Sequence, residues 1–141
     1  MVSTIKWVLL LSYWSILTQS LLMTCPWELF SHSLVEHPPF DISFEPISWL
    51  IHSTAYALLG FLICEVSYWR TKVLAGLFVL AFIHSAACES LQTLIPGRWP
   101  NLWDGFSNTL GLTSAFVLHK ALRRFLARAF PWKIFPRTPA T

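Results

Sequence analysis

Six side chains stand out for the chemistry they could do: His52, Glu89, Gln92, Arg98, Asp104 and Asn108. Five of them fall between Glu89 and Gly111, and a strongly apolar run flanks that stretch on each side. An ionised group placed in a bilayer costs roughly 2.5–3.5 kcal/mol at a helix centre, so such groups are kept where they do something. Glu89 and His52 are the candidate catalytic pair, since both can donate and accept a proton. Arg98 could hold a phosphate, because a guanidinium matches it with two parallel hydrogen bonds. Asp104 and Asn108 could bind a polar head or hold their neighbours in place.

Each residue also has a plainer role. Asn101 is a helix N-cap candidate, and Asp104 three residues on would complete a capping-box arrangement. A carboxylate in a first helical turn also suits the helix dipole. Asn108 could join helices by a hydrogen bond, and Gly111 could let two backbones approach closely. Arg98 could simply pair with Glu89 or Asp104. His84 reads as a satisfied histidine between helices.

The elements that must position these groups are membrane helices. Of 141 residues, 55% are hydrophobic and 12% charged. A soluble domain carries about 25% charged residues, so the composition is that of a membrane protein. The basic residues form no patch interleaved with aromatics, and no nucleic-acid partner is expected. Four helices are expected, about 5–23, 46–68, 72–95 and 102–128, the last apolar to about Leu118 and then basic; about nineteen residues suffice to cross a core roughly 30 Å thick at 1.5 Å per residue. The first reads as a retained helix, since no small-residue cleavage site follows it. Thr24 before Cys25 makes a poor lipoprotein box.

Lys6, Arg70, Lys72, Lys120, Arg123, Arg124, Arg128, Lys133 and Arg137 fall on one side of this arrangement, and only Arg98 on the other. That asymmetry places both termini in the cytoplasm. Trp27, Trp49, Trp99 and Trp103 then mark the outer interface. The expectation is an all-α membrane protein, a four-transmembrane-helix bundle in one domain over 1–130. A cytoplasmic tail over 131–141, with Pro136 and Pro139, reads as disordered.

The loop over 24–45 carries Glu28, Glu36, Asp41 and Glu45 without a Lys or Arg, and Pro38-Pro39 breaks any helix there. Trp27, Phe30, Leu34 and Val35 could line a short interfacial helix. His32, Glu36 and His37 lack a firm third ligand. The three cysteines form no ligand or disulfide pattern, and Cys64 and Cys88 read as small buried hydrophobes. Neither a metal nor a cofactor is expected. Glu65 is expected to reach for the headgroups or for Arg70 and Lys72. The short connection at 68–72 makes the second and third helices antiparallel neighbours.

Depth brings the six together. His52, Glu89 and Asn108 each fall roughly 8–10 Å below the outer boundary at 1.5 Å per residue. His52, Tyr56 and Gly60 share a face, as do Asp104, Asn108 and Gly111. Gln92 lies one turn above Glu89, Ser85 one turn below, and Arg98 in the loop overhead. The expectation is one polar pocket open to the outer side.

This spacing, Glu89-x-x-Gln92, Pro96-x-Arg98 and Asp104-x-x-x-Asn108-x-x-Gly111, resembles the signature of the VanZ-like family. His52, Tyr56 and Leu58-Leu59-Gly60 resemble that family's earlier motif. The resemblance covers roughly 49–118. It departs where the family often has an Asp-Lys pair before the histidine, for Ser48 and Trp49 stand there. It implies a small multi-pass protein of the bacterial inner membrane. The implied theme is the cell envelope and low-level resistance to teicoplanin-type glycopeptides.

The preferred expectation is an accessory or binding protein. Its partners would be membrane lipids and an envelope precursor or a lipid-tailed ligand. The alternative is a membrane-embedded enzyme using Glu89 and His52 as acid and base. Against it, no nucleophile sits at a telling distance from a base. The oligomeric state is left open.

Overall fold

The computed structural model describes residues 4–23, 46–67, 70–95 and 100–130. The acidic loop over 24–45, Arg98 and the tail over 131–141 lie outside the described residues, and so do the expectations placed on them. Four helices account for almost all of the described chain: α1 (Thr4–Leu22), α2 (Pro46–Ser67), α3 (Thr71–Gln92) and α4 (Leu102–Ala129). The protein is therefore all-helical as described.

Three of these helices, α1, α2 and α3, are long and apolar enough to cross a membrane. In α4, Asp104 and Asn108 near one end and four basic residues near the other lower the apolarity. The bundle is inverted relative to a soluble protein. Ile5, Val8, Leu9 and Leu11 are exposed on α1, Leu50 and Ile51 on α2, and Val79, Leu80 and Ile83 on α3. Meanwhile His52, Ser85, Gln92, Ser107, Asn108 and His119 are buried. So much contiguous apolar surface is not sustainable in water, whereas lipid tails would cover it. This is the surface of a membrane protein.

Side-chain pairs fix the helix directions. Lys6 meets Glu65 and Tyr13 meets Ala55, so α1 and α2 run antiparallel. His52 lies by Glu89 and Tyr56 by His84, so α2 and α3 run antiparallel as expected. Ser48 meets Asp104, His52 meets Asn108 and Glu65 meets His119, so α2 and α4 run parallel. Among the described residues the α2–α4 seam is the most extensive. Two glycines permit it. A Cβ on Gly111 would run into the Ser53 carbonyl oxygen, and one on Gly60 would lie 2.9 Å from the Ala115 Cβ. With no side chain in the way, the two backbones come within direct packing distance.

A central layer of Leu10, Leu17, Tyr56, Leu59, Ile63, Ala81 and Leu112 fills the bundle. His84 is set into it. The Thr18 hydroxyl donates to the Trp14 carbonyl at 2.8 Å, so its oxygen is left to accept from His84 Nε2 at 2.9 Å. His84 Nδ1 then accepts the Tyr56 hydroxyl at 3.1 Å. The ring also stands edge-on to Trp14 at 5.5 Å. This is the satisfied interhelical histidine expected from the sequence. Removing the hydroxyl in Tyr56→Phe is expected to cost about 1 kcal/mol, read as a lower unfolding midpoint in detergent with helical content unchanged.

Away from His52, Glu65 gathers partners that the sequence did not suggest. Lys6 Nζ and Glu65 Oε2 form an ion pair; Oε1 takes His119 Nε2 at 2.7 Å and Arg123 Nη2 at 3.4 Å. The expected pairing with Arg70 or Lys72 is replaced because Glu65 lies on the face of α2 that meets α1 and α4. Cys64 and Cys88 are free and buried, as small apolar side chains should be.

Candidate functional site

At the other end of α2, His52 stands between two carboxylates. Pro46 opens the helix, and its lack of an N–H costs nothing in a first turn. Two turns on, His52 faces the seam with α4. Asn101 starts α4, its side chain accepting from the Trp103 amide at 2.9 Å. This brings Asp104 and Asn108, one turn apart, against α2. α3 supplies Glu89 and Ser85, also one turn apart.

The geometry is closely connected. Asn108 is fully buried and acts as the hub. Its Nδ2 donates to Ser85 Oγ at 2.9 Å and to Glu89 Oε1 at 3.4 Å. With both bonds made by the amide nitrogen, Oδ1 is left for His52 Nδ1 at 3.1 Å. An amide oxygen only accepts, so Nδ1 carries the proton. His52 Nε2 is then directed toward Asp104 Oδ2, 3.6 Å away, and Nδ1 lies 3.9 Å from Glu89 Oε1. Asp104 Oδ1 accepts from Ser48 Oγ at 3.0 Å. The side chains of His52, Glu89 and Asp104 retain 9%, 13% and 14% of their exposure.

Four of the six candidates, His52, Glu89, Asp104 and Asn108, thus converge. Gln92 does not join them. Its side chain is buried and donates to the Leu21 carbonyl at 3.2 Å, tying α3 to the end of α1. Arg98 lies outside the described residues. The N-cap role of Asn101 holds, but the Asp104 carboxylate turns to α2 and not back to its own helix end. Ser48 is the participant that sequence reasoning passed over as a departure from a pattern. Its spacing to His52, one helical turn, was the signal that could have found it.

A groove of about 690 Å³ runs between α1 and α2 up to this cluster. Ile16, Leu17, Leu21, Ile47, Ile51 and Ala55 make its walls mostly apolar; Ser48, His52 and Tyr56 add polar groups from α2, and Tyr13 and Ser20 from α1. One nitrogen of His52 and one oxygen each of Glu89 and Asp104 lie within 4.8 Å of one another, close enough to share a cation. No family model, curated protein or solved structure matches the chain, so the role of the site rests on its own geometry.

Proposed function

We propose that the chain is a four-span protein of a bacterial inner membrane, with both ends cytoplasmic and the His52 end facing out. There it holds the polar head of a lipid-tailed envelope molecule. α4 supports four spans because it runs parallel to α2 in nearly constant register, so the two occupy the same depth. Nine of ten Lys and Arg residues on one side support the orientation. The resemblance of 49–118 to the VanZ-like family supports an accessory role in the envelope, in lipid or precursor handling or in resistance to teicoplanin-type glycopeptides.

One observation carries the binding role: the apolar groove between α1 and α2 ends on His52 and Ser48. A tail in the groove would leave its head at the cluster, and Arg98 in the adjoining loop would add a cation for a phosphate. Ser48 stands where the family often has a charge, and it keeps a related task by holding Asp104.

Mass spectrometry of lipids and metabolites retained by the purified protein tests the reading. Ile51→Trp fills the groove and should strip the retained molecule. Arg98→Ala should weaken its binding by about tenfold or more, the usual loss for a hydrogen bond to a charged group. Glu89→Gln keeps the acceptor that Asn108 uses and should leave binding nearly unchanged. The contact of His52 with both carboxylates also suits acid–base catalysis, and an enzyme of that kind would lose turnover in Glu89→Gln. Retention unaltered by both Ile51→Trp and Arg98→Ala would overturn the reading.

A further inference from the structure

We infer that His52, Glu89 and Asp104 form a binding site for one divalent transition-metal ion of the zinc class. The inference builds on the reading of this end as a binding pocket, but the ion can be tested by itself. The three residues come from three different helices and converge in the interior of the bundle. Their candidate ligand atoms lie within 4.8 Å of one another. Zinc bonds of about 2.0–2.1 Å hold tetrahedral ligands roughly 3.3 Å apart, so an ion needs to draw the set in by up to about 1.5 Å.

Three features favour a metal over a simple hydrogen-bond cluster. First, Asn108 takes the Nδ1 proton of His52. That leaves Nε2, on a side chain nine-tenths buried, without a hydrogen bond and directed at Asp104. Second, the separation of Nε2 from Asp104 Oδ2 is 3.6 Å. This is too long for a hydrogen bond, yet it suits two ligands of one ion meeting at a tetrahedral-like angle. Third, each ligand is oriented by a further contact. Asn108 holds His52 and Glu89, Ser48 holds Asp104, and Ser85 holds Asn108. Histidine ligands of metals are steadied in this way through their other nitrogen.

The donor set names the class of ion. One imidazole nitrogen with two carboxylate oxygens suits zinc or manganese better than magnesium or calcium, which prefer oxygen alone. Three protein ligands leave a fourth position, as in zinc sites that take an exchangeable group. Of the three ligands, His52 also lines the groove between α1 and α2.

The test uses the full chain in detergent, stripped with a chelator and titrated with zinc against a chromophoric competitor. One zinc per chain is expected, with magnesium unable to displace it. His52→Ala and Asp104→Asn should each lower affinity by at least about 100-fold, and Asn108→Ala by about 10–100-fold as an orienting residue. Gln92→Ala, which alters the same helix outside the cluster, should bind normally. His32→Ala with His37→Ala should also bind normally, which separates this site from the first loop. If a variant fails to fold, the wild-type protein loaded with cobalt still decides. Its visible spectrum should show nitrogen and oxygen ligands without a thiolate band from Cys64 or Cys88. The inference is overturned if the wild-type chain takes up no stoichiometric zinc, or if binding survives His52→Ala. Retained lipid is measured on the same stripped sample. Lipid without zinc would sink the ion and keep the headgroup reading; zinc without lipid would do the reverse.

Discussion

Gly111→Ala is expected to unmake the polar site without altering any side chain in it. The new methyl would collide with the Ser53 carbonyl oxygen and lie 2.9 Å from the Ala57 amide nitrogen. Both are backbone atoms of α2, so neither can rotate away. α4 must draw back along the α2 seam, and the 3.1 Å bond between His52 and Asn108 is stretched first because it spans that seam. Overpacking of this kind costs about 1–3 kcal/mol. The helix preference of alanine over glycine returns up to about 1 kcal/mol, so the collision decides the sign.

Three sister variants calibrate the result. Gly60→Ala meets the Ala115 Cβ at 2.9 Å and the Leu112 carbonyl oxygen at 3.2 Å, a tight but gentler fit, and should be less harmful. Gly76 and Gly105 have nothing within 4 Å of an added Cβ. Their alanine variants should be neutral or slightly stabilising, by up to about 1 kcal/mol. Unfolding midpoints in detergent rank the four. Gly111→Ala should fall lowest and should also lose bound zinc and retained lipid. A Gly111→Ala protein as stable as Gly76→Ala would mean that the close seam is not required.

The site was legible in the sequence as a depth and not as a set of contacts. Helical rise alone put His52, Glu89 and Asn108 at one level, and the structure brings these three side chains together. Rise does not say which neighbour a side chain faces. Gln92 shares the α3 face with Glu89 within about one turn, yet it turns to α1 because the end of α1 presents the Leu21 carbonyl there. The ligand set escaped notice for the same reason. Its members lie 37 and 15 residues apart along the chain, so no local spacing announces them. Four spans already made α2 and α4 parallel, but their close seam was hidden, since short connections speak only for neighbours in sequence. Gly60 and Gly111 were its sole local trace.

Glu65 shows how far a long-range partner can outweigh a near one, and its removal is the second large effect expected. The carboxylate joins Lys6 of α1 to His119 and Arg123 of α4, 54 to 59 residues away in sequence. Glu65→Ala removes the anion that all three share. Lys6 is a third exposed and can extend its ammonium toward the headgroups. His119 is 1% exposed and has no such escape. Breaking a buried pair costs about 3–5 kcal/mol, and Glu65 keeps 24% of its exposure, so the loss should lie near the lower figure. Glu65→Gln retains an acceptor for the His119 ring and should lose less. Lys6→Met should cost no more than about 1 kcal/mol, as a pair that water can reach. Double-mutant cycles should then show stronger coupling of Glu65 to His119 than to Lys6; the opposite order would make the cluster a surface feature. Glu65 and His52 lie thirteen residues apart on α2, about 20 Å along a straight helix. At that distance the two ends should act independently. Glu65→Ala should therefore loosen the bundle while zinc uptake at His52 persists, whereas Gly111→Ala should lower stability and lose the zinc as well. A shared loss in both variants would instead mean that the charged cluster at Glu65 holds the His52 pocket in shape across the whole length of α2.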